Sequence, residues 1–295
     1  MDIESKMQIK KVNRAYLDKQ DVQQPLFPWT LSFTWEIPLS EIINVEISKY
    51  AIAIILNHKS GDMPMNVLAI NGSPHMDEGN TAMILNPFLA GMKEEGASVE
   101  VFYTRKLKIG PCNGDMSCWF KNPGECGQND DMLMLLPKFR DADIIVWASP
   151  VYYAGITGPL KNLMDRQLPL YMMGVGSKKQ KAVLVSTCGA WELSMFDPLL
   201  AQMKAIYDRP EGGFEFAGAL LRPMAEGVKE MLKAGETRLV EGVFLAAKEA
   251  GRQLVKDGRI SEDTQKAVSK ELMPQDAYYK AAQEMKEQAK KEMGK

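Results

Sequence analysis

The pattern of hydrophobic and polar positions changes character at Asn66. From there, short apolar runs rich in β-branched and aromatic residues recur: NVLAIN (66–71), SVEVFYT (98–104), DIIVWAS (143–149), KAVLVST (181–187) and FEFAGALL (214–221). Each has the length and composition of a strand. Between the first two lies TAMILNPFLAGMKEEG, in which Met83, Leu85, Leu89 and Met92 approximate a helical stripe and Gly96 supplies a stop. Strand, helix and strand at this spacing predict a right-handed parallel crossover, and five such strands predict a doubly wound α/β sheet.

Two flanking regions follow different rules. Residues 225–295 read as C-terminal helices, in the segments AEGVKEMLKAGETRLVEGVFLAAKEAGRQLVKDG, SEDTQKAVSKEL (with Ser261 as N-cap) and PQDAYYKAAQEMKEQAKKEMGK. Residues 1–64 read as an N-terminal extension of unassigned role, interrupted by Pro25, Pro28 and Pro38, with short strands expected at 31–37 and 50–56. Met63 and Met65 are alternative translation starts. The division expected is therefore 1–64, a central domain over 65–224, and 225–295.

Composition narrows the class. The chain has 295 residues, 45% hydrophobic and 25% charged, with a formal net charge of -2, so no basic excess points to nucleic acid or an anionic membrane. Small molecules are the expected partners. YAIAIIL (50–56), the longest apolar run near the start, is far short of a bilayer span, and no basic, apolar and small-residue leader precedes it. A cytoplasmic protein is expected. Four cysteines, Cys112, Cys118, Cys126 and Cys188, are too few for a disulfide scaffold, and the first three are bunched as in metal or redox chemistry.

In a doubly wound sheet, ligands bind outside the carboxyl ends of the strands. The stretch INGSPHMDEGNTAMIL (70–85) occupies that place after the first strand and brings Ser73, His75, Gly79, Asn80 and Thr81 to a helix start. Hydroxyls, an amide and free backbone N–H groups at the positive end of a helix suit a phosphate; the same residues would also serve as ordinary caps. Gly79 is followed by Asn80 rather than lysine, so a Walker loop is excluded, and G-x-G-x-x-G is absent. A single terminal phosphate fits such a loop better than a triphosphate.

The second chemically loaded loop is ASPVYYAGITGPLKNLMDR (148–166). Pro150 stiffens the strand exit, Tyr152 and Tyr153 offer flat faces, Gly155 and Gly158 permit close approach, and a helix follows from about Pro159. These features suit a planar heteroaromatic ring, or else a plain aromatic core contact. Lys161, Asp165 and Arg166 belong to that helix and read as ion-pairing and subunit-contact residues, as charges at helical spacing usually form a solvated face.

Together, NGSPHMDEGNT and SPVYYAGITGPLKNLMDR resemble the flavodoxin-like NAD(P)H-dependent FMN reductases and the related iron-sulfur flavoproteins, over roughly residues 65–275. The resemblance implies the strand order 2-1-3-4-5. It also implies that Ser73, Gly79, Asn80 and Thr81 hold the FMN phosphate, with His75 at a position where a basic residue is common. Pro150, Val151, Tyr152, Tyr153, Ala154 and Gly155 would line the isoalloxazine. Thr187, Cys188 and Gly189, in STCGAWELS (186–194), would border the flavin, with Trp191 as a lid. Homodimers or homotetramers are implied as well.

The run from Cys112 reads C-x2-D-x2-C-x7-C, where iron-sulfur relatives carry four cysteines around a [4Fe–4S] cluster; Asp115 takes the second place. Carboxylate is a harder, poorer partner than thiolate for such a cluster. A cluster with Asp115 as an unusual ligand, a metal-free loop, and zinc or redox-active thiols all stay open. Asp130 and Asp131 read as the start of the next helix.

The function expected from the resemblance is FMN-dependent oxidoreduction, taking hydride from NAD(P)H and passing electrons to a quinone, flavin, nitro or azo compound. No protein acid, base or nucleophile is required for that chemistry. The alternatives are an iron-sulfur flavoprotein electron carrier and a flavodoxin-like binding module without catalysis.

Overall fold

The computed structural model describes residues 64–172, 179–208 and 213–294. The expectations for residues 1–63, including strands at 31–37 and 50–56, lie outside the described residues. The described residues belong to one compact unit.

In chain order the elements are β1 (Asn66–Asn71), α1 (Asn80–Glu94), β2 (Ser98–Tyr103), α2 (Ser117–Phe120), α3 (Met132–Asp141), β3 (Ile144–Pro150), α4 (Gly158–Asp165), α5 (Leu168–Met172), β4 (Gln180–Thr187), α6 (Asp197–Tyr207), β5 (Phe214–Arg222), α7 (Ala225–Lys233), α8 (Thr237–Asp257), α9 (Glu262–Val268) and α10 (Gln275–Met293). The sheet is five-stranded, in the order β2-β1-β3-β4-β5, and every pairing is parallel. This is the flavodoxin-like doubly wound order expected above. Each of the five apolar runs became a strand, with ends within one residue of those expected.

Alternate strand residues feed two cores, because successive side chains point to opposite faces. Leu68, Ile70, Ile145 and Trp147 join α3, α4 and α6 on one face; Val67, Ala69, Ile144, Val146 and Val183 join α1 and α8 on the other. The helices after residue 225 are thus not all appended: Val243, Ala247, Ala250 and Leu254 of α8 complete the second core. Close approach of α1 and α8 depends on two glycines. A methyl group at Gly91 would collide with the Lys248 carbonyl, and one at Gly251 with the Phe88 carbonyl. Met83, expected in the buried stripe of α1, sits half-buried against Val228 and Met231 instead, while Ile84 and Phe88 take the core positions. Ser261 caps α9 as expected, its hydroxyl oxygen accepting the Thr264 N–H at 3.3 Å.

Among the described residues no helix is long and apolar enough to cross a membrane.

Candidate functional site

The order reverses between β1 and β3, so their following loops run apart and leave a crevice. Hydrogen bonds tie the two loops together at its floor. The Gly72 N–H donates to the Ala148 carbonyl at 2.7 Å, and the Thr157 hydroxyl donates to the Gly72 carbonyl at 2.9 Å. A side chain at Gly72 would collide with Thr157, its Cβ falling 2.7 Å from Oγ1.

The loop after β1 folds on its own side chains. The buried Asn71 accepts the Ser73 N–H at 2.8 Å, and Ser73 Oγ accepts the His75 N–H at 3.3 Å. These short-range bonds turn the chain so that Gly79 becomes the N-cap of α1 with no side-chain acceptor over the helix start. The packing leaves no room for one, since a Cβ at Gly79 would lie 2.5 Å from Ser73 Oγ. The Ala82 N–H turns back to the Gly79 carbonyl at 3.0 Å, and the Asn80 and Thr81 N–H groups ahead of it are placed to meet an anion.

A cavity of about 280 Å³ opens there. Of the fourteen residues expected at a cofactor, the first loop contributes Ser73, His75, Gly79, Asn80 and Thr81 to its lining. The exit of β3 adds Pro150, Val151 and Tyr152, and the end of β4 adds Thr187, Cys188 and Gly189. Thr81 and Thr187 join α1 to β4 through buried hydroxyls 3.0 Å apart.

The remaining three expected residues lie outside the lining. Tyr153 and Ala154 form a tight turn with φ of 50° and 58°, closed by Tyr152 N–H to the Gly155 carbonyl (2.9 Å) and Gly155 N–H to the Tyr152 carbonyl (3.0 Å). Two side-chain-bearing residues in the left-handed region store strain beside the cavity. The turn also carries the Tyr153 ring out to full exposure rather than onto the cavity wall.

Sequence reasoning missed the contribution of α7. Ala225, Glu226 and Lys229 line the cavity, as does Glu78. Asn80 Nδ2 donates to Glu226 Oε1 at 3.1 Å, linking α1 to α7. No local signal marks Glu226, because an acidic residue in the first turn of a helix ordinarily serves its own dipole.

The loop after β4 is clamped by the C-terminal segment. Tyr278 donates to the Gly189 carbonyl at 2.5 Å, Tyr279 donates to Glu192 at 2.6 Å, and Gln275 donates to Glu192 at 2.9 Å. Trp191, expected as a lid, instead donates its indole N–H to the Met273 carbonyl at 3.2 Å and is absent from the cavity lining. Burial pushes the Cys188 thiol up to about 11 and the Tyr278 hydroxyl up to about 12.

The cysteine loop gathers around a separate cavity of about 20 Å³ lined by Cys112, Asp115, Cys118 and Cys126. Among the described residues no three His, Cys, Asp or Glu side chains are placed to share a metal ion. The Asp115 carboxylate accepts the Ser117 N–H at 2.8 Å, and Cys126 Sγ accepts from Arg166 at 3.2 Å. Arg166 forms the ion pair expected of it, forking onto Asp130 at 2.8 and 3.0 Å, but is 1% exposed rather than on a solvated face. One Asp115 oxygen is thus held by backbone and the Cys126 sulfur by a guanidinium, and hydrogen bonds to sulfur are of the kind that also surround metal-bound thiolates. Lys161 and Asp165, by contrast, form the exposed pair expected of them, 2.5 Å apart.

Residues 65–207 match the family described as NADPH-dependent FMN reductase. An iron-sulfur flavoprotein of Methanocaldococcus jannaschii is 40% identical over 106 residues, covering 36% of this chain and 53% of that protein. The chain thus spans about half the length of that relative. An iron-sulfur flavoprotein of Archaeoglobus fulgidus is 29% identical over 214 residues, 71% of this chain and 94% of its own. Among solved structures, a Klebsiella pneumoniae protein provisionally described as a quinone reductase superposes with a TM-score of 0.50 and 16% identity, covering 65% of this chain and 85% of that one. At that identity the likeness shows the fold alone.

Proposed function

Since residues 65–207 match the NADPH-dependent FMN reductase family, we propose that the chain is a member of it, binds FMN in the cavity at the strand ends and acts as an FMN-dependent oxidoreductase. NAD(P)H is the electron donor in this reading, and the acceptor is a small molecule such as a quinone, flavin, nitro or azo compound. The observation that carries it is the glycine-capped start of α1, opening into the same cavity as the loops after β3 and β4.

The residues suit the group. The uncapped N–H groups of α1, with Ser73, Asn80 and Thr81, would take the phosphate, while His75 and Lys229 bring basic side chains to the same lining. Pro150, Val151 and Tyr152 would border the ring from one side, and Thr187, Cys188 and Gly189 from the other. Bound FMN supplies reversible hydride and single-electron chemistry that no side chain provides. The protein's part is to position the ring and exclude water: the Thr81–Thr187 pair, the Gly72–Thr157 bond and the Tyr278–Gly189 bond hold the three loops in register. Assembly into a homodimer or homotetramer belongs to the proposal, supported by the fully exposed Tyr153 on its strained turn at the cavity's edge.

The test is the absorption spectrum and FMN content of the purified protein, followed by NADPH oxidation with menadione as acceptor. Flavin bands near one equivalent with turnover are expected. A colourless protein that takes up no FMN would overturn the reading.

Electron transfer through an iron-sulfur centre is a second reading, favoured by the relatives so named. Aspartate at the second of the four ligand positions counts against it, because carboxylate is a poorer partner than thiolate for such a cluster. Iron and sulfide analysis of anaerobically purified protein separates the two.

A further inference from the structure

Beside the cavity at the strand ends lies a larger one of about 500 Å³, between α7 and α10. The two share Gly189 and Glu226. On α10 the lining residues are Tyr278, Ala281, Ala282 and Met285, whose spacing of three, four and seven sets them on one helical face. Gly227 and Met231 of α7 face them, with Ala234 just past its end. Small residues on both helices would ordinarily allow closer packing, but the Tyr278 ring is wedged against Gly227, where a Cβ would come within 3.0 Å of the ring edge. Space is left beyond the wedge.

The chemistry of the wall selects a ligand class. Its size falls within the range of roughly 300–1,000 Å³ common for small-molecule sites. Met231, Met273 and Met285 give it flexible, polarisable apolar surface that adapts to flat rings. Its charged lining is of one sign: Glu226, Glu230 and Glu236, with no lysine, arginine or histidine among the described lining residues. Glu230 also meets Lys233 at 2.6 Å, in an exposed pair of the kind that contributes little.

We propose that this cavity binds an apolar organic cation with a conjugated ring system, beside the flavin. A neutral or anionic aromatic would gain only the apolar contact, whereas a cation also neutralises the carboxylates. The ligand's role as electron acceptor rests on the oxidoreductase reading above. FMN held in the neighbouring cavity would supply, when reduced, a hydride (two electrons and one proton) that turns the conjugated cation into a neutral reduced compound and returns the flavin to its oxidised form. Loss of its charge weakens its hold on the carboxylates and favours release.

The test uses the full-length, FMN-loaded protein without NADPH, with methylene blue as the cationic probe and menadione as a neutral control, by equilibrium dialysis. The Glu230→Gln/Glu236→Gln double variant should bind methylene blue about tenfold more weakly at low salt. Its FMN content and its menadione binding should be unchanged. Ala282→Trp, which fills the space, should abolish methylene blue binding. Methylene blue binding that is unchanged in both variants, or an equal loss for menadione in the charge variant, would overturn the proposal. Should the protein take up no FMN, the oxidoreductase reading falls, while the same dialysis on the flavin-free chain still decides the cavity.

Discussion

The hydroxyl of Tyr278 donates to the carbonyl of Gly189 at 2.5 Å, joining the first turn of the C-terminal helix to the loop that walls the cavity proposed for FMN. Eighty-nine residues separate the partners. Tyr278→Phe removes this bond and keeps the ring against Gly227. A hydrogen bond of this type contributes about 1 kcal/mol, so FMN affinity should fall by roughly threefold to tenfold with only a small change in melting temperature. Fluorescence titration with FMN measures it, and unaltered affinity would show that the clamp does not act on the cavity.

Gly79→Val places a branched side chain where a single Cβ already lies 2.5 Å from Ser73 Oγ. The helix start is obstructed while the cores beneath it are untouched. Expected are loss of bound FMN and a far-UV circular dichroism spectrum like that of the parent. Stoichiometric FMN in the purified variant would count against phosphate binding at this loop.

The α1–α8 contact makes a purely structural prediction. Gly91→Ala sets a methyl group against the Lys248 backbone, and neither helix has a flexible side chain there to give way. Destabilisation of about 3 kcal/mol or more is expected, at the upper end of overpacking effects. Chemical denaturation with urea reads it directly. Glycine at 242, with open space around its Cβ position, is the control, and Gly242→Ala should not destabilise.

Cys188 and Cys112 should differ in reactivity. Cys112 is exposed, whereas Cys188 is buried and its thiol is pushed up to about 11. At pH 8, iodoacetamide should modify Cys112 and spare Cys188 in the folded protein, as read by peptide mass spectrometry. The linkage has a definite sign. A thiol whose folded pKa lies above its unfolded value of about 8.5 contributes stability that is complete below that value. That contribution is lost as the pH rises towards about 11. Cys188→Ala should therefore flatten the fall in urea midpoint over that alkaline interval.

Asp115→Cys completes the spacing C-x2-C-x2-C-x7-C and frees the carboxylate-held turn at Ser117. After anaerobic reconstitution, iron and sulfide should rise well above the parent's content, with broad visible absorbance. Equal iron in the two proteins would mean that the Arg166 contact at Cys126, rather than Asp115, sets the loop's character.

How much of this was legible beforehand depends on the reach of each interaction. The five strands were readable because apolar runs of strand length, bounded by turn residues, are a local signal. The loop after β1 was readable for the same reason: Ser73 and Gly79 act through neighbours within a few residues. Arg166 was not. Its helix spacing resembles a solvated charge pair, and only the approach of Asp130, Gly110 and Cys126 from other segments turns it inward. Trp191 was misjudged likewise, because its partner is a backbone carbonyl 82 residues away.

The sequence by itself determined the alternation of strands and helices, the sheet class, and a helix start fit for a phosphate, since periodicity and turn chemistry are properties of adjacent residues. Only the tertiary structure decided that α8 closes on α1 through paired glycines, that Glu226 and Lys229 enter the cavity, and that α10 clamps its wall. Those outcomes depend on which distant surfaces exclude water together, and no local pattern encodes that choice.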